Sequence, residues 1–252
     1  MNLKEEALKL HRENKGKLAT QSKVSVKTKH DLSLVYTPGV ADVCREIAAN
    51  KSLVYEYTMK ANSVAVVSDG SAVLGLGNIG PQAALPVMEG KCVLFKEMAG
   101  IDAFPICLDT QDDDEIISIV KKISPVFGGI NLEDIAAPRC FSIEDALLDI
   151  GIPVMHDDQH GSAIVILAAL INAAKVVNKS LDDLRVVING AGAAGTGAAR
   201  LLLCLGIDKN ICTSVKEVIV CDSKGIIYEG RADLNKFKAE LAKSTNKLKR
   251  KG

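Results

Sequence analysis

The chain has 252 residues, of which 48% are hydrophobic and 25% charged, ordinary values for a globular protein with one large or two modest domains. Its 31 Lys and Arg residues equal its 31 Asp and Glu residues, so bulk charge recruits neither nucleic acid nor an anionic membrane. Aromatic residues make up 4% and Trp is absent, which argues against a base-stacking platform for nucleic acid.

The apolar and β-favouring residues are distributed as strands separated by helices. An amphipathic helix is expected within residues 3–18. The predicted strands, several of them covered on both faces, lie at 64–67, 92–95, 104–108, 152–155, 186–188 and 218–221. Further helices are predicted to begin at Ser142, at Ser162 and at Thr196, and the acidic run 112–115 is interpreted as an exposed first helical turn. Such alternation indicates an α/β fold with a largely parallel sheet.

The cysteines and the apolar segments indicate where in the cell the protein is expected to reside. The seven Cys residues are scattered without a C-x-x-C pair, which predicts reduced thiols in a cytoplasmic protein rather than a disulfide framework or a zinc site. Residues 1–17 are charged throughout and do not resemble a secretory signal. The longest apolar helical stretch, 163–171, is too short to span a bilayer. No membrane and no nucleic acid are expected as partners.

The domain boundary is predicted near Ser162, which gives a substrate and metal domain over 1–161 and a nucleotide-binding domain over 162–252. A complete doubly wound dinucleotide domain needs two βαβαβ halves, and 185–252 has room for about one. Residues 243–252 are polar and basic, unlike a closing strand. We therefore expect a nucleotide domain that is incomplete at its carboxyl end, with an open sheet edge that favours a homo-oligomer, most simply a dimer.

A glycine-rich turn follows the predicted strand 186–188. Gly190, Gly192 and Gly195, with Ala193 and Ala194 between them, fit the pattern G-x-G-x-x-G, whose backbone N–H groups face a pyrophosphate. The alternative is a glycine-rich turn without a ligand.

Asp222 follows the predicted strand 218–221, at its carboxyl end. A carboxylate at this place accepts hydrogen bonds from the adenosine ribose and repels a 2′-phosphate. NAD is therefore favoured over NADP, although Lys224 would soften the repulsion.

Two acidic doublets follow predicted strands. Residues 131–134, which include Glu133 and Asp134, are predicted to end a further strand, and Asp157 and Asp158 follow the predicted strand 152–155. Both doublets can therefore face one crevice at the carboxyl ends of a parallel sheet. Hard oxygen ligands around an open face suit Mg²⁺ or Mn²⁺ better than zinc. The alternative is that these are loop or capping residues, with Asp158 or Ser162 capping a helix.

Longer segments, in order from about Thr28 onward, resemble malic enzymes, in particular the shorter bacterial-type form. The matching segments are 36–40, 68–70, 74–78, 85–91, 131–141, 153–162, 189–197 and 221–225. Because they match together and in order, the resemblance is more specific than any single motif. It implies a malic-enzyme substrate domain followed by the first half of a Rossmann-type parallel-sheet domain.

The resemblance implies oxidative decarboxylation of L-malate to pyruvate and CO₂ with reduction of NAD, dependent on Mg²⁺ or Mn²⁺. The family's catalytic Tyr maps to Tyr36 and its catalytic Lys to Lys91. Its metal ligands map to Glu133, Asp134 and Asp158, and Asp157 is left as a supporting carboxylate. In such a site the cation would hold malate by its C1 carboxylate and C2 hydroxyl, Lys91 would take the hydroxyl proton and Tyr36 would protonate C3 of the enolate.

Two alternatives stay open. One is a non-catalytic fragment that binds nucleotide or metal only. The other is a malolactic-type lyase, which converts malate directly to lactate and retains its NAD. The lyase would differ from the dehydrogenase by showing no net release of NADH.

Overall fold

The computed structural model describes residues 2–208 and 210–251. The chain divides into two compact units: unit 1 comprises Met1–Asn131 and Ala146–Val154, and unit 2 comprises Leu132–Asp145 and Met155–Gly252. Helices alternate with strands, and the α/β fold class predicted from the sequence is confirmed. The predicted domain limits, 1–161 and 162–252, stay a prediction.

Unit 1 begins with short helices and continues into a sheet. Its helices are α1 (Leu3–Asn14), α2 (Lys29–Val35), α3 (Val40–Ala49), α4 (Val54–Tyr57), α5 (Gly80–Ala99) and α6 (Asp113–Ile123). Its strands β1 (Ser63–Ser68) and β2 (Asp102–Cys107) pair in parallel. They belong to a four-stranded sheet of order β2-β1-β3-β4 that also contains β3 (Gly129–Leu132) and β4 (Val154–His156). Both β3 and β4 have their last residues in unit 2.

Helix α5 occupies a segment for which the sequence predicts a strand. Residues 92–95 lie inside this helix of 20 residues, so the predicted strand is wrong. Ala84, Met88 and Cys92 are buried at four-residue intervals along α5, which is a helical period, and the last two pack against Val66 of β1. A short apolar run cannot distinguish a buried strand from the buried face of a helix. The acidic run 112–115 does lie at the start of a helix as predicted, because Asp112 caps α6.

Unit 2 holds the glycine-rich turn and a second sheet. Its elements are α7 (Arg139–Asp145), α8 (Asp157–Val176), β5 (Arg185–Asn189), α9 (Ala193–Leu202), β6 (Glu217–Asp222), β7 (Gly225–Ile226) and α10 (Lys236–Ser244). Strand β6 pairs in parallel with β5 and antiparallel with β7, so β5 is an edge strand among the described residues. Its residue Val187 is 66% exposed. The core of the unit joins α9, β6 and α10 through Leu202, Val220 and Leu241.

Three helices of unit 2 begin earlier than predicted. Helix α7 begins at Arg139, so Ser142 lies inside it, and α9 begins at Ala193 rather than Thr196. Helix α8 begins at Asp157 and not at Ser162, with the N-cap residue His156.

The capping alternative for α8 is therefore wrong. Neither Asp158 nor Ser162 caps the helix. The backbone N–H of His156 instead donates to Oε1 of Glu144, at 2.9 Å. Because this acceptor belongs to α7, the sequence around the start of α8 contains no pattern that predicts it.

Helix α8 also has the length and composition of a membrane-spanning helix, with 20 residues and a mean hydropathy of 1.3. This differs from the prediction, which began the helix later and so made it shorter. One such helix is weak evidence, since core helices of soluble proteins pass the same test. Its first two residues are Asp157 and Asp158, and carboxylates are costly in hydrocarbon. The lack of a membrane partner stays a prediction.

Cys204 and Cys212 form a disulfide, with Cα atoms 5.9 Å apart. The prediction that all thiols are reduced is therefore wrong. Cys204 has a positive φ of 53° just after α9, where the chain turns, and that turn rather than any sequence motif makes a disulfide possible. The cysteines that stay free are Cys44, Cys92, Cys107, Cys140 and Cys221. Because the cytosol keeps most thiols reduced, the cytoplasmic location stays a prediction.

Candidate active site

Three of the acidic residues singled out in the sequence meet in unit 2. Glu133 and Asp134 follow β3, Asp158 lies in the first turn of α8, and one ligand atom from each lies within 4.8 Å of the other two. Glu133 and Asp134 are each only 5% exposed. Carboxylates this close and this buried repel one another unless a cation or a proton lies between them. Three hard oxygen donors fit a divalent ion such as Mg²⁺ or Mn²⁺.

The backbone holds two of these carboxylates together. Asp134 has a φ of 54°, in the left-handed region, which Asp tolerates better than most residues. Its N–H donates to Oδ2 of Asp158 at 3.0 Å. This hydrogen bond ties the segment after β3 to the first turn of α8, so a shift of that turn also disturbs the segment that carries Glu133.

The fully buried imidazole of His156 lies next to the carboxylate of Asp158. His156 is 0% exposed, and its Nε2 atom lies 3.4 Å from Oδ2 of Asp158. Burial lowers the pKa of His156, while the charges of Asp158 and Glu144 oppose that shift. The ring is therefore neutral at pH 7 and adds no positive charge beside the cluster.

Glu144 on α7 makes a set of contacts that the sequence did not predict. It is 7% exposed. Its Oε1 accepts from the backbone N–H of His156 at 2.9 Å and from Nε2 of His160 at 2.8 Å, and its Oε2 accepts from the side-chain amide of Gln159 at 2.9 Å. Burial alone would raise the pKa of Glu144, but the hydrogen bonds from His160 and His156 lower it overall. The hydrogen bond to Glu144 also raises the pKa of His160.

The glycine-rich turn connects β5 to α9 as predicted. Gly190 has a φ of 130°, and its N–H donates to the carbonyl of Cys221 at 2.9 Å. A Cβ atom on Gly195 would lie 1.8 Å from the carbonyl oxygen of Gly190, so only glycine fits there. Helix α9 begins at Ala193 and Ala194 after the N-cap residue Gly192, which supplies no capping side chain. Its first N–H groups can therefore meet an anion.

A pocket of about 350 Å³ opens beside this turn, within unit 2. The turn itself lines the pocket, together with Phe141 and Phe237, whose ring centroids are 4.8 Å apart. The polar lining comes from Asn189, Thr196, Asp222, Ser223, Asn235 and Lys238. A turn of backbone N–H groups, an apolar wall and a carboxylate form a lining that suits a nucleotide.

Asp222 lies at the end of β6 as predicted, but two cations accompany it. Its Oδ2 accepts from Nη2 of Arg231 and from Nζ of Lys238, each at 2.7 Å, and its Oδ1 accepts from the backbone N–H of Lys224 at 3.0 Å. Arg231 and then Lys238 hold the pKa of Asp222 well below its usual value. The side chain of Lys224 pairs with Asp233 at 2.9 Å, rather than with Asp222.

Tyr36 and Lys91 both lie in unit 1, whereas the carboxylate cluster and the glycine turn lie in unit 2. Tyr36 is the C-cap residue of α2 and is 69% exposed. Lys91 is half-buried in the middle of α5, so it is a helical residue and not part of a loop beside a strand.

The chain matches two family models in succession. Residues 14–115 and 110–148 match the malic enzyme N-terminal domain, and residues 159–252 match the malic enzyme NAD binding domain. The chain belongs to the malic enzyme family. The resemblance seen in the sequence is thereby confirmed, together with the order of a malic-enzyme N-terminal domain followed by the beginning of a Rossmann-type domain.

The chain is similar to individual malic enzymes over nearly all of its own length. The bifunctional malic/malolactic enzyme of Bacillus subtilis is 57% identical, over 100% of this chain and 60% of that protein. The crystal structure of the NAD-dependent malic enzyme of Thermotoga maritima superposes with a TM-score of 0.91 at 51% identity, over 98% of this chain and 64% of that one. The NADP-dependent malic enzyme of Escherichia coli is 50% identical, over 91% of this chain and 30% of that protein. The chain thus spans less than two thirds of the length of each relative.

Proposed function

We propose that the protein catalyses the oxidative decarboxylation of L-malate to pyruvate and CO₂, coupled to the reduction of NAD and dependent on Mg²⁺ or Mn²⁺. The observation that carries the proposal is the approach of Glu133, Asp134 and Asp158 within 4.8 Å, in a chain whose two matched family models are both those of malic enzymes. We also propose 1–161 as the substrate and metal domain and 162–252 as the nucleotide domain.

In this proposal each step of the reaction is assigned to a named side chain. Glu133, Asp134 and Asp158 hold the divalent cation, with Asp157 in support. A divalent cation held by these carboxylates would supply positive charge next to the oxygen atoms of malate that become more negative during the reaction. Lys91 takes the proton of the malate C2 hydroxyl and Tyr36 donates a proton to C3 after CO₂ has left.

The proposed reaction is tested by adding L-malate, NAD and Mn²⁺ to the purified, folded chain. We expect NADH and pyruvate to form together, and a chelator to stop both. The Lys91→Ala variant should lose turnover by about 10²- to 10⁴-fold, the usual contribution of a general base, and still bind NAD. The exposed Lys96 of the same helix, which pairs with Asp102 at 2.7 Å, provides the control Lys96→Ala. Near-normal turnover by Lys91→Ala would show that Lys91 is not the base, and a folded but silent wild-type chain would favour the non-catalytic alternative.

A malolactic reaction is the second candidate, because the Bacillus subtilis relative is named a bifunctional malic/malolactic enzyme. In that reaction malate is converted to lactate and CO₂, and the NAD is regenerated in place. Lactate formed without net NADH in the same assay would assign this activity.

NAD is the proposed coenzyme, on the basis of Asp222. Relatives with either coenzyme in their names match the chain, so the resemblance does not choose between them. Oδ1 of Asp222 accepts one backbone N–H, which leaves it a lone pair for a ribose hydroxyl. Arg231 and Lys238 together offset its negative charge, so we expect the discrimination against a 2′-phosphate to be modest.

Removal of the positive charge of Lys238 and removal of the negative charge of Asp222 should shift the preference between NAD and NADP in opposite directions. Lys238→Ala removes a cation 2.7 Å from the carboxylate, so NADP affinity should fall about fivefold, or about 1 kcal/mol, as for a partly exposed ion pair. Affinity for NAD should change less. Asp222→Asn should instead improve NADP binding relative to NAD. Calorimetric titration of both coenzymes measures these changes, with the exposed Lys243 of α10 mutated to Ala as the control. A wild-type chain that binds NADP more tightly than NAD would overturn the NAD proposal.

A homo-oligomer, most simply a dimer, is also proposed. Helices α1, α2 and α3 contain no buried residue. Large apolar side chains of this segment are exposed, among them Leu3 at 83% and Leu34 at 61%. Apolar surface of this kind is typical of an interface. A sedimentation mass of a single chain at micromolar concentration would contradict the proposal.

A further inference from the structure

We propose that Glu144 is a positioning residue for the metal site: it holds the first turn of α8 so that Asp158 faces Glu133 and Asp134. The inference rests on the proposed metal site and adds to it a residue that is not a ligand. It concerns unit 2 alone, since α7, the first turn of α8 and all three carboxylates belong to that unit.

Glu144 accepts hydrogen bonds from residues on both sides of Asp158 in the chain. Its carboxylate accepts from the backbone of His156, two residues before Asp158, and from the side chains of Gln159 and His160, which follow it. Three hydrogen bonds to residues on both sides of Asp158 constrain the position of the start of α8.

The carboxylate of Glu144 lies at the N-terminus of α8. Helix α8 lacks a side-chain cap from its own N-cap residue, His156, so the carboxylate of Glu144 takes over that role from another helix. An anion at a helix N-terminus is favoured by the dipole of the helix and by its open N–H groups. Glu144 is 7% exposed, so water does not compete freely for its oxygens.

The effect reaches the ligands through one further hydrogen bond. Asp158 accepts the N–H of Asp134 at 3.0 Å, so the turn that Glu144 holds also orients the backbone of the second ligand. Outer partners of this kind typically change metal affinity by 10- to 100-fold. We expect a loss within that range when the three acceptor contacts of Glu144 are removed.

The test is Mn²⁺ binding to the whole chain, followed by the electron paramagnetic resonance of the free ion. Glu144→Ala should weaken Mn²⁺ binding by 10- to 100-fold. Glu144→Gln keeps one acceptor oxygen and should fall between the alanine variant and wild type. Asp145→Asn is the matched control for Glu144→Gln, because Asp145 is the exposed acid next to it on α7, and this change should leave the affinity unaltered.

A double-mutant cycle separates positioning from general destabilisation. If Glu144 acts through Asp158, adding Glu144→Gln to Asp158→Asn should weaken Mn²⁺ binding by much less than it does in wild type. A purely structural role would lower the thermal unfolding midpoint and leave the Mn²⁺ affinity of the folded Glu144→Gln protein equal to that of Asp145→Asn, which would overturn the inference. If wild type itself does not bind Mn²⁺, the proposed metal site fails and this inference fails with it.

Discussion

A Gly195→Ala variant should bind dinucleotide more than about 100-fold more weakly than wild type. The added Cβ would lie 1.8 Å from the carbonyl oxygen of Gly190 and 3.2 Å from Cγ2 of Ile188. Overpacking costs up to about 3 kcal/mol even where side chains can move aside, and about 1.4 kcal/mol corresponds to a factor of ten. Here the obstructing atom belongs to the backbone of the turn. The turn must therefore open, and its N–H groups leave the positions that face a pyrophosphate.

Calorimetric titration with NAD measures the loss. Gly75→Ala is the control, because a Cβ on Gly75 meets no atom within 4 Å and the residue has no positive φ. Circular dichroism of both variants checks that they fold. Wild-type affinity in a folded Gly195→Ala protein would show that the turn does not carry the phosphate.

The second large effect is expected for Asp158→Asn, which should weaken Mn²⁺ binding by more than about 100-fold, beyond the 10- to 100-fold typical of outer partners. In wild type the N–H of Asp134 donates to Oδ2 of Asp158 at 3.0 Å, and the amide oxygen of Asn can accept the same hydrogen bond. The substitution therefore removes a charge and largely keeps the shape of the side chain. Isothermal titration at neutral pH measures the affinity. The exposed Asp183, mutated to Asn, is the control.

Thermal unfolding gives an independent readout of the same variant. Mn²⁺ should raise the unfolding midpoint of wild type, because it binds the folded chain, and should no longer do so for Asp158→Asn. Without metal, the variant should be no less stable than wild type, since one of three mutually repelling carboxylates is gone. A midpoint that Mn²⁺ raises equally in both proteins would remove Asp158 from the ligand set.

The parts of the site that follow from local pattern and sheet topology were predicted from the sequence. Gly190 has a positive φ, and a Cβ on Gly195 would collide with the backbone, so both positions favour glycine and the turn can be predicted from the sequence pattern. Glu133 and Asp158 come together as expected, because each follows a strand of the same sheet at its carboxyl end. Their catalytic and ligand roles stay predictions.

What the sequence did not predict depends on contacts between distant segments. Glu144 lies on a different helix from the turn it caps, and the local pattern around Ser142 instead suggested a cap of its own. Arg231 and Lys238 reach Asp222 from further along the chain, so no motif next to Asp222 announces them. The disulfide of Cys204 likewise arises from a turn and not from a spacing rule.

The packing of α9 against α8 at Gly197 also constrains how the two helices can vary. A Cβ on Gly197 would lie 2.6 Å from the carbonyl oxygen of Gln159, the residue directly after Asp158. The helix that begins at the glycine-rich turn is therefore in close contact with the backbone of the helix that begins at the carboxylate cluster. Any larger side chain at position 197 would push these helices apart, so the start of one helix cannot shift without moving the other.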